Sequence, residues 1–120
     1  MPDIDDKTNP VLADTVQKCE EAARRNDAAV WERVAAELEG PTREMREVDL
    51  STIERNTSDG DTVVVPGVVT GDGRLTTDVV VAAFKFTGNA METVNREGEA
   101  MYIDALVDER PGGDGVILLG

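Results

Sequence analysis

Apolar residues recur at helical spacing through the first third of the chain and gather into short β-branched runs in the second half, so the pattern predicts helices first and strands later. A first helix starts where Asn9 can cap and Pro10 can take the first helical position, since proline has no N–H to leave orphaned there. Leu12, Val16, Cys19 and Ala23 then share one face, while Asp14, Lys18, Glu21 and Arg25 point elsewhere. A second helix is expected to be capped by Asp27, to carry Val30, Trp31, Val34, Ala35 and Leu38 on one face, and to stop at Gly40-Pro41. Pro41 to Val48 has no period and reads as a connector. Asp49 or Ser51 can cap a short third helix through Leu50, Ile53 and Glu54 that closes at Asn56.

Beyond Asp59-Gly60 the texture changes. Thr62 to Val65 reads as a β-branched strand, Pro66-Gly67 as a break, and Val68 to Thr70 as a second short strand. Gly71-Asp72-Gly73 is a tight turn that would reverse the chain toward Val79 to Phe86, an almost continuous apolar run suited to an interior strand. A helix from Asn89 to Glu97, a strand at Ala100 to Ile103, a helix at Asp104 to Glu109 and a strand at Gly115 to Leu119 complete the order. The expectation is an α/β fold in which N-terminal helices precede a β-rich half ending β-α-β-α-β, an alternation that favours parallel pairing. Residues 1–8 are polar and acidic without an apolar period and read as a flexible arm before a single domain over residues 9–120.

Composition narrows the chemistry. With no His there is no imidazole base and no His-ligated metal site, and the single Cys19 forms neither an intramolecular disulfide nor a thiolate cage. Both Cys19 and the only Trp, Trp31, fall on apolar helical faces and read as core. No run is long and apolar enough to span a membrane, and a lone Cys suits a reducing cytoplasm, which is the expected location. Gly71-x-Gly73 and Gly113-x-Gly115 lack the continuation of a phosphate-binding loop and read as turns. Nothing singles out a nucleophile with its base, a metal site, a cofactor or a small-molecule substrate, so an enzyme is not expected.

The net charge is −13, from 25 acidic and 12 basic residues, divided as −7 over residues 1–60 and −6 over 61–120. Against that background the cations are the informative minority. Lys7 lies in the arm, Arg24-Arg25 at the end of the first helix, Arg43 and Arg46 in the connector, Arg55 at the end of the third helix, Arg74 after the glycine turn and Lys85 in the apolar run. Arg25 and Arg55 suit helix C-termini. Arg43 and Arg46, two guanidinium groups three residues apart with no helix to serve, suit phosphate binding.

These segments together resemble a known family. The arm KTNP (Lys7 to Pro10), AVWERVAAELEGPTREMREVDLSTIER (Ala29 to Arg55), TVVVPGVVTGDGRL (Thr62 to Leu75) followed by VVVAAFKF, and GEAMYIDALVDERPGGDGVILLG (Gly98 to Gly120) are similar to the archaeal large ribosomal subunit protein 18e family, itself related in fold to bacterial large-subunit protein fifteen. VPG, GDG, AAF and the closing PxGxGV occur together at family spacing. The resemblance implies an α/β domain with an irregular ββα arrangement, no catalysis, and a structural place on the large subunit held by ribosomal RNA and neighbouring ribosomal proteins. RNA contacts carry over to Lys7, Thr8, Asn9, Arg43, Arg46 and Arg55. The chain departs from the family where Val11, Val68 and Ile117 replace a usual basic residue and Asp49 replaces Asn.

The acid excess resembles proteins of salt-loving archaea. At molar salt the screening length falls to about 3 Å, so distant carboxylates scarcely repel an RNA backbone while contact-range cations still hold phosphate. The sequence leaves two readings: an RNA-binding structural constituent of the large subunit, or a diverged paralogue acting as a soluble interaction module.

Overall fold

The computed structural model describes residues 10–39, 46–87, 89–113 and 115–119. Helices α1 (Pro10–Asn26) and α2 (Ala29–Leu38) come first, followed by β1 (Arg46–Asp49), α3 (Leu50–Asn56), β2 (Thr62–Thr70), β3 (Val80–Phe86), α4 (Ala90–Glu97), β4 (Glu99–Tyr102), α5 (Ile103–Glu109) and β5 (Val116–Leu118). All strand pairs are parallel, in the order β1-β2-β3-β4, with β5 also on β2. Rungs join Thr62, Val63 and Val64 of β2 to β5, and Gly67 through Thr70 to β1. Because β3 occupies the other edge of β2 over both stretches, β5 and β1 share one edge, end to end.

Alternation along the strands builds two cores, one on each face of the sheet. Val64, Ala82 and Met101 pack with Val16, Cys19, Trp31, Val34, Leu38, Ile103 and Leu106 of α1, α2 and α5. Val63, Val65, Val81 and Ala83 pack with Leu50 and Ile53 of α3, Ala90 and Val94 of α4, and Leu75 and Val79. A strand buried on both faces reads as a continuous apolar run, as Val63-Val64-Val65 does. Trp31 and Cys19 are fully buried core residues, as their helical spacing predicts. The indole N–H of Trp31 donates to the Arg110 carbonyl at 2.9 Å, fastening α2 to the turn after α5. Burial, then the charges of Glu20 and Asp104, pushes the Cys19 thiol up to about 12, so it stays protonated and packs as a small apolar group.

Several expectations need correction. Asp27 does not cap α2: it takes a left-handed conformation (φ 54°) at the joint between α1 and α2, and Ala28 stands at the cap position with no side-chain hydrogen bond. The connector that lacked any period contains β1, so a strand precedes α3 and the helices do not all come before the sheet. Pro66-Gly67 does not divide two strands. Pro66 lies between the rungs to β5 and those to β1, and at the register shift between Val65 and Val68 on the β3 side, so its missing donor falls where no rung requires one. Gly71-Asp72-Gly73 does not produce a hairpin either, because β3 runs parallel to β2. Gly73 does need its φ of 89°, and a Cβ there would collide with the Ser51 hydroxyl. Residues 71–79 carry the chain back to the start of the sheet, with Leu75, Thr77 and Val79 buried. The expected Asn9 cap, the Gly40-Pro41 stop and the arm over 1–8 lie outside the described residues.

Candidate nucleic-acid interface

α3 is set by its cap. The Asp49 carboxylate accepts from the Thr52 N–H at 2.8 Å and the Thr52 hydroxyl at 2.7 Å, and these two bonds hold its carboxyl below the usual range. With the first turn fixed, Leu50 and Ile53 fall into the core, and Arg55, in the last turn, faces solvent. The Leu50 N–H donates to the Asp72 carbonyl at 2.9 Å, tying the start of α3 to the loop that follows β2. Since β2 begins after α3 ends, the helix leads from the carboxyl end of β2 back toward its start.

Glu54 secures the other side of that loop. Its oxygens accept from the Thr76 N–H at 2.9 Å and hydroxyl at 2.7 Å, and from the Thr77 N–H at 3.2 Å and hydroxyl at 2.7 Å. The Thr76 bonds first, and those of Thr77 with them, lower its carboxyl to about 2. Four donors on one carboxylate replace the helix that a parallel connection ordinarily uses. This clamp has no sequence motif; only its result, a loop held against α3, gives Glu54 a role.

Charge is unevenly neutralised. Lys18 bridges to Asp108 at 2.9 Å between α1 and α5, and Arg96 meets Glu97 at 3.5 Å. Arg24, Arg25, Arg55, Arg74 and Lys85 are exposed and make no ion pair with another described residue, although acids outnumber bases two to one in the chain. Arg55 donates to the Thr52 hydroxyl at 3.5 Å. Exposed cations with no described carboxylate in contact are available to external anions.

Of the residues expected to meet RNA, Arg46 opens β1 opposite Gly67 and Arg55 closes α3, so one β1-α3 unit carries both positions. The Arg46 side chain, and Lys7, Thr8, Asn9 and Arg43, lie outside the described residues. Tyr102, 53% exposed, was not singled out by the sequence, because its place at the end of a short strand gave no sign of which way it faces.

The family model for "Ribosomal protein 60S L18 and 50S L18e" matches residues 6–120. The chain belongs to this family. Among relatives named large ribosomal subunit protein eL18, that of Haloarcula marismortui is 43% identical over 110 residues, covering 92% of this chain and 95% of the relative. The Halobacterium salinarum protein is 40% identical over 111 residues, with 92% and 95% covered. That of Methanoregula boonei is 37% identical over 115 residues, with 95% of each covered. The L18 and L18e family consists of structural ribosomal proteins, not enzymes. Two of the departures noted in the sequence have local reasons in the fold. Asp49 caps α3 as Asn can, and Ile117 is half-buried opposite Val63.

Proposed function

We infer that the chain is a structural constituent of the large ribosomal subunit in the cytoplasm, where it supports translation by binding ribosomal RNA and neighbouring ribosomal proteins. The observation that carries this is the match of residues 6–120, almost end to end, to a family of large-subunit proteins. Lys7 and Thr8 of the arm and Asn9 at the start of the domain, together with Arg43, Arg46 and Arg55, take phosphate and sugar contacts that fix the protein in register. That Arg55 is exposed and in no ion pair with another described residue supports its part in that set. An anionic protein can hold a polyanion because concentrated salt mutes distant carboxylates and leaves contact-range cations effective. Counterion release contributes less under those conditions, so shape fit and protein neighbours supply more of the affinity. The kinship to bacterial large-subunit protein fifteen and the salt-loving character belong to this same reading.

Sedimentation of a high-salt extract of the source organism tests it. Co-migration with the large subunit is expected, and the combined Arg43→Gln, Arg46→Gln, Arg55→Gln variant should move substantially toward the top of the gradient. Recovery of the unaltered protein only at the top would instead identify a diverged paralogue working off the ribosome.

A further inference from the structure

β3 outruns β4. Their last shared rung joins Ala83 to Tyr102, and Phe84, Lys85 and Phe86 continue past it. At this step the Tyr102 ring meets the Phe86 ring edge to face, with centroids 6.0 Å apart and planes at 68°. Such a pair restrains the orientation of the outer ring while leaving the rest of it to solvent. Tyr102 is the one large hydrophobic side chain exposed among the described residues. Beside the ring opens a cavity of about 180 Å3 lined by Thr15, Ala83, Phe84, Tyr102, Ile103 and Asp104.

We propose that Tyr102, braced by Phe86, is a stacking platform for an unpaired base of the RNA, with Lys85 holding the adjoining phosphate. The inference rests on the ribosomal reading above and deepens it by assigning a base contact where only backbone contacts were expected. Size and charge select the occupant. The core of a protein–protein interface gathers several exposed apolar side chains, whereas a base needs one ring face, and here Tyr102 alone among the described large apolar side chains is exposed, above half-buried Phe84 and Phe86. Lys85 is exposed, stands one residue before Phe86 in the stretch of β3 that outruns β4, and makes no ion pair with another described residue. Glu99 and Asp104, both exposed on the β4 and α5 side, repel phosphate there. The RNA backbone therefore passes on the Lys85 side and the neutral base lies toward Tyr102. Single-stranded RNA is commonly read in this way, by splayed bases stacked on aromatic rings.

Tyr102 is the only tyrosine of the chain, so one residue reports on the site. In large subunits containing the full chain, ultraviolet irradiation should attach a nucleotide to the Tyr102 peptide. In binding to protein-free large-subunit RNA across a potassium chloride series in the molar range, Tyr102→Phe should match the unaltered protein, and Tyr102→Leu should weaken binding about tenfold without changing the salt slope. Lys85→Gln should make that slope shallower by about one. Unchanged Trp31 fluorescence shows that each variant is folded. Unaltered binding by Tyr102→Leu, or a crosslink from Tyr102 to a neighbouring protein in place of RNA, overturns the stacking site alone. Failure of the unaltered protein to sediment with the large subunit removes the ribosomal reading as well.

Discussion

Glu54 shows how one side chain can stand in for a missing element. Its carboxylate gathers both amides and both hydroxyls of Thr76 and Thr77, and an amide at the same place would have one acceptor oxygen in place of two. Glu54→Gln should therefore loosen residues 71–79 first, seen as faster amide exchange at Thr76 and Thr77 ahead of the sheet. Linkage fixes the pH dependence. A folded pKa of about 2, below the ordinary 4.5, contributes stability that is fully present above about pH 4.5 and is lost as pH falls through about 2. The unaltered protein should melt at falling temperature across that window, and the variant should show a flatter acid limb between the same limits.

Elements were legible where local chemistry decides them. The spacing of Val16 and Cys19, the Trp31 stripe and the Asp49 cap each placed a helix, because caps and 3.6-residue periods are properties of neighbours along the chain. The strand at Arg46–Asp49 was not legible, since four residues are too few for a period and its partner, β2, lies some twenty positions away. Pro66 misled for a related reason: whether proline breaks a strand depends on which rungs the neighbouring strands require. From this follows a test against the usual breaker logic. Pro66→Ala frees a buried N–H where no rung receives it and loosens the unfolded chain, so it should destabilise by about 1–2 kcal/mol in urea titrations at high salt. Stabilisation would show that the proline does interrupt the ladder. The candidate interface was the least legible part, because the outward direction of Arg55 and the exposure of Tyr102 depend on packing, which spacing alone does not give.

At the scale of the molecule, charge and fold oppose each other. A net −13 is carried on a chain 120 residues long, and the Lys18–Asp108 and Arg96–Glu97 pairs lie at the surface, so self-repulsion works against the folded state in dilute buffer. Screening relieves it, and the melting temperature should climb with added potassium chloride until the screening length falls to contact range. A melting temperature independent of salt would mean that the two cores carry the fold without help from screening.

The shared edge of β2 bears on how the protein is born. Synthesis delivers β5 after every other described element, and until it arrives the Thr62 to Val64 stretch of the central strand has an open flank. A bare strand margin invites pairing with whatever other chain is near. A nascent or prematurely terminated product is thus left sticky along one side, and only the last strand seals it.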